Sequence, residues 1–203
     1  MDASLATDFS AALPSWLVDD MAALAASPLT TPEDRMRLVN ELADRNWRAG
    51  NGGPFAAIVV DAVSGALVSM GVNVVLASGI TSMHAEVMAL SLAQRAVGRW
   101  DLGAGGADLE LIVNWRPCVM CYGATMWSGV RRLTIAGEGA ELERLTGFDE
   151  GPMTEDWEGE FERRGIRVSV GVGYEDALEV FQAYGASDSV VYNARGLTET
   201  GGA

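Results

Sequence analysis

Met36, Val39, Ala43 and Trp47 recur at intervals of three and four residues, which makes one face of an α-helix apolar. Thr31 can cap that helix, Pro32 fits its first position, and Glu33 and Asp34 complement the positive end of its dipole. Gly50 closes it, and Asn51-Gly52-Gly53-Pro54 breaks the chain. The pattern then changes. From Phe55 to Asp61 the residues are almost continuously apolar, as in a strand buried on both faces. Ser64-Gly65 turns the chain, and Ala66 to Val72 returns as a second strand. Helical character follows from His84 to Val97, from Cys118 to Ser128, and on an amphipathic segment from Tyr174 to Tyr184. Leu109 to Asn114, Arg132 to Ala136 and Ile166 to Val170 read as three further strands, and Leu142, Leu145 and Phe148 as a short helix running into a loop. Trp16, Leu17, Met21 and Leu24 fall near one stripe, so a short docked helix is expected in an N-terminal extension over 1–30. The main domain is then 31–185, with a tail over 186–203 that contains Val190, Val191 and Tyr192. Strands alternating with helices predict an α/β domain whose helices cover a mixed five-stranded sheet.

Charge narrows the partners. The formal net charge is −14, and all 14 basic side chains are Arg. Such a surface repels phosphate backbones, so no nucleic acid polymer is expected as a partner. No apolar run approaches the ~18 residues of a membrane helix, and Met1 to Ser10 carries Asp2 and Asp8 without the positive residues of a secretory signal. A cytoplasmic protein with no membrane partner is the expectation.

The chemistry is concentrated in two short motifs. The chain has one His and two Cys, and all three lie in Met83-His84-Ala85-Glu86 and Pro117-Cys118-Val119-Met120-Cys121. Each motif opens a predicted helix, so three ligands from two helix N-termini can converge on one point. Two thiolates and an imidazole suit Zn²⁺ and leave a fourth, open position for water, whose pKa the ion lowers toward ~7. Glu86, two residues after the His, can reach that water without being a ligand and can carry its proton to a substrate. Other readings stay open here: a redox dithiol or inert buried thiols at Cys118 and Cys121, a core His84, or a closed structural zinc site. The last would need a fourth protein ligand that no other His or Cys supplies.

These motifs resemble the cytidine-deaminase-like superfamily, and within it the bacterial guanine deaminases. The resemblance runs from about Thr31 to Tyr184 and includes Gly52-Gly53-Pro54-Phe55, Asn73, Gly123-Ala124, Trp127, Gly147-Phe148-Asp149-Glu150 and Phe181-Gln182-Ala183-Tyr184. It implies a three-layer α/β/α sandwich and a zinc-dependent deaminase domain over 31–185. It also implies hydrolytic deamination of a nucleobase, guanine to xanthine plus ammonia, in purine catabolism. By position, His84, Cys118 and Cys121 would hold the metal, and Glu86 and Glu150 would be catalytic. Phe55, Asn73, Ala85 and Trp127 would contact the base. Phe55 and Trp127 also read as core, Asn73 as a loop or cap residue, and Glu150 as solvated surface. Arg116 stands where many relatives have Glu, Asn114-Trp115 replaces smaller residues, and Ala56 stands where the family often has Gly. Arg116, Asn114 and Trp115 are expected to reshape the pocket mouth. The same chemistry on an ammeline-type aminotriazine, a pterin, cytosine or a guanine nucleoside is the alternative. An editing deaminase acting on transfer RNA shares the motifs but conflicts with the charge. A non-catalytic zinc-binding interaction module is the rival of another class. The family also implies a homodimer, with the C-terminal tail closing the partner's site.

Overall fold

A computed structural model describes residues 5–193. The ends of the expected N-terminal extension and C-terminal tail, 1–4 and 194–203, lie outside the described residues. Helix α1 is Ser15–Leu24, and α2 is Pro32–Arg48. Strands β1 (Ala56–Asp61) and β2 (Leu67–Val72) form an antiparallel hairpin. The short α3 (Val75–Ser78) leads to α4 (Ala85–Val97), β3 (Leu109–Val113), α5 (Val119–Ser128) and β4 (Arg132–Ile135). Then come α6 (Glu141–Thr146), α7 (Trp157–Glu162), β5 (Arg167–Val170) and α8 (Tyr174–Gly185). The strand order is β2-β1-β3-β4-β5; β3 runs antiparallel to β1, whereas β3, β4 and β5 run parallel.

Alternation along the strands builds two cores. Ile58, Val60 and Ile112 face α2 and α8, while Ala57, Val59, Leu111 and Val113 face α4, α5 and α7. Helices on both faces of the five-stranded sheet make the three layers that the family resemblance implies. Thr31 caps α2 as expected, its Oγ1 accepting from the Asp34 N–H at 3.1 Å. Two α-helices escaped the sequence pattern. Helix α3 is a single turn, too short to show a period. Helix α7 lies in an acid-rich stretch, but Trp157 and Phe161, four residues apart, carry it into the core. In α1, Leu17 is buried, while Met21 is exposed rather than part of the docked stripe. Trp16 lies under the Arg45 guanidinium of α2, and Asp20 pairs with Arg45.

One ion pair crosses the α2 face of the sheet. Arg35 Nη1 donates to Glu110 Oε2 at 2.5 Å, and Glu110 Oε1 accepts from the Thr134 hydroxyl at 2.6 Å; all three residues are buried. Arg35→Met strands the Glu110 carboxylate in the core, so a loss of about 3–5 kcal/mol is expected in urea unfolding. A loss below about 1 kcal/mol would mean that water reaches the carboxylate and that the pair is not isolated from solvent.

Candidate active site

Close packing places the two motifs side by side. At Gly71 of β2, a Cβ would meet the Ala85 carbonyl oxygen at 2.3 Å and the Ala89 nitrogen at 2.4 Å. A glycine there lets the first turn of α4 rest on the sheet. His84 is the residue before that turn, and Cys118 is its counterpart before α5. The two helices pack together, so both N-termini open into one space.

In that space the ligand atoms of His84, Cys118 and Cys121 lie within 4.8 Å of one another. Cys118 Sγ is 3.5 Å from His84 Nδ1. A tetrahedral zinc, with Zn–N of about 2.0–2.1 Å and Zn–S of about 2.3 Å, sets that separation near 3.5 Å, so the donor set fits the ion. A hydrogen bond from Cys121, the proximity of His84 and its hydrogen bond draw the Cys118 pKa down to about 4, against the opposing effect of burial. The hydrogen bond with Cys118, burial and the Glu86 charge push the Cys121 thiol well above its usual range. Burial alone would lower the His84 pKa, but Cys118, Glu86 and Glu150 outweigh it and raise it. Metal uptake at neutral pH must therefore expel the Cys121 proton. At least one proton per zinc is expected in calorimetry across buffers of different ionisation enthalpy, with affinity rising as pH rises. Uptake without proton release would show that Cys121 is not a ligand.

Glu86 is 6% exposed beside this triad, and burial followed by the Cys118 charge raises its pKa. Glu150 approaches from the loop between α6 and α7, where the Val119 N–H donates to the Glu150 carbonyl at 3.2 Å. Burial, then the charges of Cys118 and Glu86, push its carboxyl up to about 8. Both acids border a cavity of about 330 Å³ whose wall also includes His84, Cys118, Phe55 and Asn73. Asn73 is buried; its Oδ1 accepts from the Val75 N–H at 3.2 Å, and its carbonyl accepts from Asn46 Nδ2 at 2.7 Å. Gly52 abuts it, since a Cβ there would lie 2.2 Å from Asn73 Oδ1.

Two expected base contacts lie elsewhere. Trp127 is 81% exposed on α5 and is not part of the cavity wall, because its position on the helix turns it to solvent. Ala85 packs with Ala57 and Ala89 beneath α4, also off the wall. Trp115 and Arg116 line the cavity, but Asn114 does not. Asn114 instead ties β3 to the start of β1, accepting from the Ala56 N–H at 3.3 Å and donating to the Pro54 carbonyl at 2.9 Å. Residues that the sequence reading did not assign also border the space. Phe148 packs edge-on to Phe55 at 5.4 Å between ring centres and could have been found beside Glu150 in its motif. Thr81 and Asn193 gave no sequence signal. Tyr192 reaches in from the tail of the same chain, and its hydroxyl accepts from the Gly53 N–H at 3.0 Å. Asn193 donates to the Gly147 carbonyl at 2.7 Å and accepts from the Asp149 N–H at 3.1 Å.

Layers, strand order and a His/Cys/Cys triad at two helix N-termini agree with one family. Residues 29–137 match the cytidine and deoxycytidylate deaminase zinc-binding region, and the chain belongs to that family. Among its relatives, guanine deaminase of Bacillus subtilis is 35% identical over 109 residues, covering 54% of this chain and 65% of that protein. A probable cytosine deaminase of Schizosaccharomyces pombe is 34% identical over 93 residues, covering 46% of this chain and 52% of that one. The chain thus spans between half and two thirds of these curated relatives. Solved structures match over more of the fold. The guanine deaminase of Nitrosomonas europaea is 40% identical with a TM-score of 0.82, covering 91% of this chain and all of that one. A chain solved in complex with 2,6-diaminopurine is 43% identical with a TM-score of 0.80, covering 91% of this chain and 96% of that chain. Among the described residues, no helix is long and apolar enough to cross a membrane.

Proposed function

We propose that the protein is a zinc-dependent hydrolase that removes the exocyclic amino group of guanine, giving xanthine and ammonia. The observation that carries this reading is that two carboxyls, Glu86 and Glu150, both border a base-sized cavity beside the His84, Cys118 and Cys121 triad. Relatives that are guanine deaminases support guanine over other rings.

When bound, zinc lowers the pKa of a water toward ~7 and so makes a nucleophile available at neutral pH. Glu86, beside that site, would take a proton from the attacking water and deliver it to a ring nitrogen. Burial raises its pKa, which suits a group that must both take and return a proton. Glu150, held protonated by its surroundings, would give a proton to the leaving amino group and recover one from the C2 hydroxyl as the carbonyl of xanthine forms. Phe55 and Phe148 offer ring edges and faces to a flat base, and Asn73 holds its edge. Phe148 and Tyr192 pack together on the cavity wall, and the Asn193 bonds hold the tail beside them.

The test is ammonia release by zinc-loaded protein from guanine, ammeline, cytosine, adenine, guanosine, cytidine and a pterin. Release from guanine above all others is expected. Release from another member alone would keep the reaction and replace the substrate. Silence across the panel with zinc bound would favour the non-catalytic module. A cytoplasmic homodimer acting in purine catabolism completes the proposal.

A further inference from the structure

The cavity wall carries one cation that the mechanism above leaves unused. Arg116 follows β3, and its N–H donates to the Gly137 carbonyl at 2.8 Å, which fixes the start of its side chain. The residue is half-buried and borders the cavity together with Glu86, Glu150 and Asp149. Even so, among the described residues it forms no ion pair with any of them. Its Nε is buried and has no acceptor. Seven buried side-chain atoms among the described residues lack partners, and Arg116 Nε alone belongs to a residue of this wall.

Buried donors are normally matched inside the protein. Nε is too enclosed for a ligand to reach, but among the described residues the terminal nitrogens of Arg116 are neither enclosed in this way nor hydrogen-bonded, which leaves them open to an acceptor that arrives with the ligand. A guanidinium is a flat fork of donors with no acceptor, so it pairs with two neighbouring acceptors and repels a donor. Resting on the guanine reading, we infer that Arg116 is a specificity-determining residue whose terminal N–H groups read the acceptor edge of an oxopurine. On guanine those acceptors are the C6 carbonyl oxygen and N7, the pair that Arg recognises in DNA. An amino group at C6 would place donor against donor. Arg116 therefore selects 6-oxopurines over 6-aminopurines, a distinction that the zinc triad and the two acids do not supply.

Calorimetry with 8-azaguanine and with 2,6-diaminopurine tests this on zinc-loaded wild type, R116M and R116K, alongside ammonia release from guanine. Wild type is expected to bind 8-azaguanine more tightly. R116M is expected to shrink that preference by roughly 5- to 150-fold, the range of one bidentate Arg–base pair. R116K, with charge but no fork, should retain only part of it. A preference unchanged in R116M overturns the assignment, and so does an equal loss of affinity for both ligands. If R116M fails to load zinc or to unfold cooperatively, R116K decides by the same ratio. A preference lost in the variants of a protein that releases no ammonia would remove the proposed reaction and keep the recognition. Binding of neither purine by wild type would remove both.

Discussion

Glu86→Gln is expected to lower ammonia release from guanine by about 10²–10⁴-fold while zinc content stays at the wild-type level. The amide keeps the shape of the carboxyl but cannot carry a proton. Glu86 lies beside the triad without being one of its three ligands, so the substitution should leave the metal in place. The fold should also survive, because the replaced carboxyl already resists ionisation through burial. Metal analysis and turnover on the same sample separate the possibilities. Near-normal turnover with zinc bound would remove Glu86 from the proton path. Lost turnover with lost zinc would make it a supporting group for the metal instead.

Removing zinc has the second large effect. Chelation is expected to abolish turnover and lower the thermal midpoint, with both restored by added zinc. Occupancy at about 1,000 times the dissociation constant stabilises by about 4 kcal/mol, or roughly 8–16 °C for a chain of this size. The stabilisation has a local reason. Without the ion, the Cys118 thiolate and the Glu86 carboxyl sit close together in a buried space with one imidazole to offset them. Full activity in metal-free protein would contradict the proposed chemistry. Lost activity with an unchanged midpoint would mean that the triad is held by its helices alone.

Guanine turnover also has an expected pH limit. Glu150 has its carboxyl raised to about 8, so the protonated form needed by the leaving group is lost as pH rises through that value. The rate should fall above pH 8, and a Glu150→Gln variant should lose that alkaline limb together with much of its rate. An alkaline limb kept in the variant would assign it to another group.

Much of this was legible before any coordinates. Period 3.6 at Met36, Val39, Ala43 and Trp47 and the unbroken apolar run after Phe55 reflect burial that each element undergoes on its own account. Thr31-Pro32 set a helix start through local hydrogen bonding and a fixed φ. His84, Cys118 and Cys121 were legible because so few residue types bind zinc and this chain has no others to spare. Direction around a helix is where the sequence fell short. Trp127 and Cys121 share α5, yet one is exposed and the other buried in the triad. An apolar helix with several aromatic and sulfur residues does not say which stripe meets its neighbour; the packing of α5 against α4 decides that.

By itself, then, the sequence determined the α/β layering, the candidate metal donors and the acid next to them, because these follow from local periodicity and from the chemistry of single side chains. Only the tertiary structure decided which residues face the cavity. It brought Glu150 and Tyr192 to a space opened by His84 and Cys118, from positions far apart in the chain. It turned Trp127 and Ala85 away, made Asn114 a brace between strands, and left Arg116 on the wall without an ion pair among the described residues. Each of these outcomes depends on long-range contacts between helices, strands and tail, and no short stretch of sequence contains both partners.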